Sequence, residues 1–207
     1  MRRAMLLIGP TGSGKTPLGQ ALEARGLGNL NCLHFDFGFE LRHAATGDGK
    51  AELSDQDLDV VRNVLETRAL LEDSDFPIAL RLLRGFLSSN DAREEDLIVL
   101  NGLPRHEGQA RGLRGLLKVD LLVHLVCEDR TILSRIETNA GGDRDGRTDD
   151  SLEDIREKLG IFRSRTKPLI DYYERTGARI ITLSVEANSG GEEARSTLLG
   201  EMGFADR

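Results

Sequence analysis

The sequence predicts a three-layer α/β fold, a five-stranded parallel sheet with helices on both faces, from three observations. Five short apolar runs recur along the chain, at Met5–Ile8, Cys32–Phe35, Leu97–Leu100, Leu121–Cys127 and Ile180–Leu183. Each is almost continuously apolar, the pattern of strands covered on both sides. Segments of helical periodicity separate them, and alternating strands and helices imply parallel strands joined by right-handed crossovers. The third observation is Gly9-Pro10-Thr11-Gly12-Ser13-Gly14-Lys15-Thr16, which fills the pattern G-x-x-x-x-G-K-[ST] directly after the first apolar run. Strand, glycine-rich loop and helix in that order make the fold one of the P-loop NTPase type.

Each element follows from local chemistry. Met1-Arg2-Arg3 precedes only a short apolar run, so this start reads as a first strand rather than a signal peptide. In the loop, Gly9, Gly12 and Gly14 let successive N–H groups turn inward around an anion, with Ser13 between them. The helix beginning near Pro17 adds its positive dipole end. Lys15 is placed to reach the β- and γ-phosphates of a nucleoside triphosphate, and the Thr16 hydroxyl to ligate Mg²⁺. Asp36 closes the second strand. After Ser54, residues Leu58, Val61, Val64, Leu65 and Leu71 recur at helical spacing, with Ser54 and Asp57 as a capping box. Phe76–Leu87 forms another helical segment, with Pro77 tolerable in its first turn.

The third run leads into Leu100-Asn101-Gly102-Leu103-Pro104-Arg105, with Gln109 four residues on. Ligands bind at such carboxyl ends of strands in open α/β sheets. Arg135 lies on the helix after the fourth run. Asn139–Arg147 is polar and glycine-rich, either a surface excursion or a lid over a ligand. Leu152, Ile155, Leu159 and Phe162 mark a later helix that Pro168 must kink or end. Glu192, Glu193 and Arg195 read as ordinary solvated helix residues.

Composition narrows the class. A chain of 207 residues can bury one sizeable core and is expected to form one domain. The net charge of −7 argues against wholesale nucleic-acid binding. Cys32 and Cys127 are the only cysteines; both fall in apolar runs without metal-ligand spacing, as expected of reduced thiols in a cytoplasmic protein. No stretch approaches transmembrane length. Asp36-Phe37-Gly38 spells the magnesium motif of protein kinases, but no H-R-D precedes it and the phosphate loop is of another type. The lone His34 and His106 read as structural or solvent-facing rather than as ligands.

Taken together, these motifs resemble the adenylate kinase family of nucleoside monophosphate kinases, from about Met5 to Gly177. Leu100–Arg105 with Gln109 looks like the family's D-G-F-P-R…Q, and His34–Arg42 like its H-x-S-T-G-D-x-L-R. Arg147-Thr148-Asp149-Asp150 looks like R-x-D-D, and Thr166–Tyr173 like T-x-P-L-I-x-Y-Y. The resemblance implies a monophosphate-binding insert at 38–90 and a short lid at 138–148 without a zinc-binding subdomain. It implies ATP and Mg²⁺ as cofactors and small nucleotides, rather than nucleic acid or membrane, as partners. Arg42 and Arg105 are then expected to clamp the acceptor phosphate, with Gly102 and Gln109 beside the acceptor nucleotide. Lys15, Arg135 and Arg147 are expected to embrace the donor phosphates, and Lys158 is expected to act with them and Arg105 as a catalytic cation. Gln109, matching an adenine-reading glutamine, favours AMP as acceptor.

The pattern also breaks. Asn101 stands where the family carries an aspartate near the metal, Phe39 replaces another acidic residue, and Phe37 replaces a small threonine. Lys158 and Asn139 replace arginines, although Arg144 can approach the same region, and Arg68 occupies a small-residue position. Thr16 restores a metal-ligating hydroxyl, with Asp36 either sharing that duty or capping its strand end. Two further readings remain open, a nucleotide-binding regulator on a weakened kinase scaffold and another P-loop small-molecule transferase.

Overall fold

The computed structural model describes residues 1–49, 51–144 and 151–204. The five apolar runs become β1 (Arg2–Ile8), β2 (Cys32–Asp36), β3 (Leu97–Asn101), β4 (Leu117–Val126) and β5 (Arg179–Ser184), all parallel, in the order β2-β3-β1-β4-β5. Only β4 departs markedly from its apolar run, starting at Leu117. Its first residues alternate Leu117, Lys118, Val119, Asp120, and pairing with β1 slips at Ala4/Met5 so that Asp120 bulges out. There it accepts from Arg3 at 3.0 Å and pairs with Lys118 at 2.7 Å, which places two cations on one half-buried carboxylate.

Period-2 alternation divides the core. Ala4, Leu6 and Ile8 of β1 and Ile98 and Leu100 of β3 face one layer, while Met5, Leu7 and Val99 face the other. The second layer is supplied by α1 (Lys15–Arg25) and α9 (Gly191–Met202), through Leu18, Leu22, Leu198 and Leu199. Arg195 belongs to this interior. It is 3% exposed, and its guanidinium donates to the carbonyls of Gly26 at 2.9 Å and Arg25 at 3.3 Å. Arg195 is thus not a solvated helix residue: it satisfies carbonyls at the C-terminal end of α1, where cations are favoured.

Between β2 and β3 lie α2 (Phe37–Thr46), α3 (Asp55–Thr67) and α4 (Phe76–Ser89). The Ser54/Asp57 capping box forms, and Pro77 sits in the first turn of α4. Phe86 of α4 packs edge-on against Phe35 of β2, ring centroids 5.2 Å apart, so α4 belongs to the first core layer. After β3 come α5 (Glu107–Leu113) and, beyond β4, α6 (Asp129–Glu137). Then α7 (Leu152–Ile161) opens into a π-helical turn, Phe162–Thr166, before α8 (Leu169–Arg175). The wider turn lets Pro168 serve as the N-terminal residue of α8 instead of breaking a continuous helix. Among the described residues no helix is long and apolar enough to cross a membrane.

The approach of α1 to β2 has a measurable consequence. A Cβ on Gly19 would overlap the His34 imidazole, which is 9% exposed. Gly19→Ala is expected to destabilise the fold by about 1–3 kcal/mol, read as a lower urea midpoint. An unchanged midpoint would mean that the ring relocates without cost.

Candidate active site

The carboxyl ends of β1, β2 and β3 open onto one cleft of about 230 Å³. The phosphate loop forms its floor. Gly12 and Gly14 adopt φ of +75° and +87°, conformations that a side chain rarely tolerates. At Gly9 the constraint is space, because an added Cβ would lie 2.5 Å from Ser13 Oγ and 2.9 Å from the Leu125 carbonyl. Ser13 is fully buried. Lys15 Nζ donates to the carbonyls of Gly9 at 2.9 Å and Pro10 at 2.7 Å. Burial of this ammonium, followed by repulsion from Arg105, lowers its pKa to about 7, while Asp36 and Asp143 oppose the shift.

Thr16, Asp36 and Asn101 meet beside that lysine. Asp36 Oδ2 accepts from Thr16 Oγ1 at 2.8 Å and from Asn101 Nδ2 at 2.9 Å. The same amide lies 3.0 Å from Thr16 Oγ1. Asp36 Oδ1 accepts from the Phe39 N–H at 3.0 Å and so caps α2. One carboxylate therefore accepts from the loop hydroxyl and caps the following helix. Behind Asn101, His34 Nε2 stands 3.4 Å from the amide, and burial lowers the pKa of this imidazole.

This oxygen pair fits Mg²⁺, which prefers one or two protein oxygens and completes its shell with phosphates and water. No group of three His, Cys, Asp or Glu side chains gathers among the described residues. Asn101 offers an amide where a second carboxylate would add charge.

Cations dominate the cleft walls: Lys15, Arg42, Arg68, Arg105, Arg144 and Lys158, against Asp36 and Asp143. Arg105 lies deep, and burial lowers its pKa against the pull of Asp36. Arg144 Nη2 donates to Thr11 Oγ1 at 3.2 Å, and its backbone N–H to Asn139 Oδ1 at 3.1 Å. The asparagine at 139 thereby orients the chain that brings a guanidinium to the phosphate loop. Arg68 lies in the left-handed region, φ +57°, and pairs at 2.7 Å with Asp154, the third residue of α7. Asp154 also closes a capping box with Ser151 at the start of α7, and its partner in the ion pair lies 86 residues upstream.

Not every expected residue enters this cleft. Arg135, 3% exposed, donates to Gly12 O at 2.9 Å and to the carbonyls of Glu186 at 2.7 Å, Ser189 at 2.9 Å and Ala187 at 3.2 Å. It binds the phosphate loop to the segment after β5 rather than presenting its charge to the cleft. Gln109 is 1% exposed, with both ends of its carboxamide on backbone atoms. Gly102 does line the cleft, at φ +82°. Phe37 is buried in the first core layer, and Phe39 is exposed, its ring 4.2 Å from that of His43. His106 is structural, its Nε2 lying 3.2 Å from the Leu71 carbonyl. Arg147, and with it the end of the expected lid, lies outside the described residues.

Comparison with known proteins agrees with this geometry. A family described as "AAA domain" matches residues 5–156. An adenylate kinase of Synechococcus sp. (strain WH7803) is 31% identical over 96% of this chain and 97% of its own length. That of Prochlorococcus marinus (strain MIT 9211) is 27% identical over 99% of both chains. That of Thermobifida fusca (strain YX) is 28% identical over 84% of this chain and 85% of its own. With a phosphate loop, a cationic cleft at the sheet's carboxyl edge and relatives similar over nearly the whole length, the chain belongs to the adenylate kinase family.

Proposed function

We propose that this protein transfers the γ-phosphoryl group of ATP to a nucleoside monophosphate in the cytoplasm, with AMP the favoured acceptor. The observation carrying the reading is the convergence of cations on one cleft, Lys15 and Arg144 at the phosphate loop together with Arg42 and Arg105. An acceptor phosphate is already an anionic nucleophile near neutral pH, so no general base is required. The protein's work is to hold two mutually repelling anions in line and neutralise the group in flight. Arg42 and Arg105 are assigned to the acceptor phosphate, because a guanidinium fork matches phosphate oxygens. Lys15 and Lys158 are assigned to the donor, together with Arg144 at the phosphate loop.

Thr16 and Asp36 would hold Mg²⁺, which when bound neutralises charge on the donor's β- and γ-oxygens. Arg135 keeps the loop in shape through the Gly12 carbonyl. The net negative charge of the chain supports small nucleotides, not nucleic acid, as ligands. The AMP preference is supported by the adenylate kinase relatives.

The deciding experiment incubates the protein with Mg²⁺-ATP and a panel of nucleoside monophosphates, following diphosphate formation. Turnover highest with AMP is expected. Nucleotide binding without turnover on any acceptor would replace the enzyme with a regulatory nucleotide-binding protein.

Asn101→Asp is expected to lower the Mg²⁺ concentration for half-maximal activity and to raise turnover, since it restores a carboxylate beside Thr16 and Asp36. In metal-free protein the same change sets two carboxylates against each other and lowers the thermal midpoint. An unchanged Mg²⁺ dependence would assign Asn101 to another task.

A further inference from the structure

Asp154, buried in the first turn of α7, has two cations drawn to one carboxylate. Its Oδ1 lies 2.7 Å from Arg68 Nη1, and its Oδ2 accepts from the Ser151 N–H at 3.2 Å. Hydrogen bonds from Ser151, then the charges of Arg68 and Lys158, hold this carboxyl below the usual range against the opposing effect of burial. Lys158 stands four residues along the same helix, and helical side chains lean toward the N-terminus, so its ammonium can fold back over Asp154. An acid four residues before a lysine is also the favoured order for such a pair. Lys158 nevertheless lines the cleft, as does Arg68. Arg68 closes α3 at φ +57°, a left-handed helix end where glycine or asparagine sits with little strain. An arginine there bears that cost and reaches from the helices between β2 and β3 to α7.

We propose that Arg68 is a positioning residue for phosphoryl transfer: by occupying Asp154, it keeps the Lys158 ammonium directed at the cleft. This role rests on the assignment of Lys158 to the donor phosphates. Without Arg68, a carboxylate on a residue only 3% exposed would keep Lys158 as a cation within reach, and a buried charge takes such a partner. Lys158 would then neutralise Asp154 instead of the group in transfer. Two other roles make different demands. A strut that merely joins α3 to α7 needs both members of the ion pair. An arginine that touches the acceptor directly needs only itself, whatever stands at position 154.

A double-variant cycle on the full chain separates the three. Arg68→Asn suits the left-handed backbone and removes the guanidinium. Asp154→Asn keeps an oxygen for the Ser151 N–H and removes the charge. With Mg²⁺-ATP and AMP, Arg68→Asn is expected to lower kcat about tenfold, with the KM for AMP within about twofold. Asp154→Asn should stay within about twofold of the wild type, and adding it to Arg68→Asn should restore kcat to within about threefold. Arg68→Gly, which meets the same backbone without a side chain, should behave as Arg68→Asn does. A double variant as slow as Arg68→Asn, with the KM for AMP raised, would overturn the proposal in favour of direct contact with the acceptor. Asp154→Asn as slow by itself as Arg68→Asn would replace it with the strut. Wild-type kcat in both Arg68→Asn and Arg68→Gly would remove Arg68 from the reaction. If no monophosphate is turned over, calorimetric affinity for ATP across the same proteins gives the comparison, weakened in Arg68→Asn and recovered in the double variant. Failure of the kinase reading is therefore distinguishable from failure of this one.

Discussion

Replacing Lys15 with alanine is expected to abolish phosphoryl transfer, lowering kcat by roughly 10³-fold or more, the scale on which cations at transferring phosphoryl groups act. The reason is visible in the loop. The ammonium rests on the carbonyls of Gly9 and Pro10, and burial first, then repulsion from Arg105, lowers its pKa to about 7 despite Asp36 and Asp143. Donor phosphates supply negative charge and favour the ammonium form. The sign follows directly: above pH 7 the free site is mostly neutral at Lys15, and nucleotide binding recharges it. At pH 8, ATP binding should take up about one proton, seen by calorimetry in buffers of different ionisation heat. Lys15→Met should remove that uptake. Uptake persisting in the variant would assign the proton to another group, and transfer persisting in Lys15→Ala would remove this loop from the reaction.

The second large effect is expected at Asp36. Its Oδ2 joins Thr16 and Asn101, and its Oδ1 caps α2, so Asp36→Ala removes the proposed metal oxygen and a helix cap together. Loss of the cap alone costs about 1 kcal/mol of stability. Asp36→Asn keeps an acceptor for the Phe39 N–H while removing the charge, and so isolates the metal contribution. Turnover in Asp36→Asn is expected to fall roughly 10²-fold, with the Mg²⁺ requirement shifted upward, because stabilising charge on the transferring group is the main source of rate enhancement. Unaltered Mg²⁺-ATP binding and turnover in Asp36→Ala would sink the rebuilt metal site and leave Asp36 as a cap only.

Much of this architecture was legible in local sequence because local sequence governs it. A strand buried on both faces must be continuously apolar, so the five runs located the five strands. The glycine pattern marked the phosphate loop because few other residues tolerate φ near +80° at Gly12 and Gly14. The Ser54/Asp57 and Pro77 helix starts form as read, since a cap is satisfied within three residues of itself. Where the reading departed, the cause was contact between distant segments. Arg195 is an ordinary polar helix residue in sequence and an interior cap of another helix in space.

The same distinction runs through the site. By itself the sequence determined the fold class, the phosphate loop and the supply of arginines and lysines at strand ends, because each depends on residue type and spacing within one segment. It could not apportion those cations. Arg135 and Arg144 both follow β4, yet the first is committed to backbone carbonyls and the second reaches Thr11 at the cleft. Asp36, Asn101 and Thr16 come from three elements, and only the pairing of β2 with β3 beside β1 brings their oxygen and nitrogen atoms within 3.0 Å. A guanidinium or a carboxamide bonds to whichever partner the packing delivers, and that partner is set by tertiary structure, not by its neighbours along the chain.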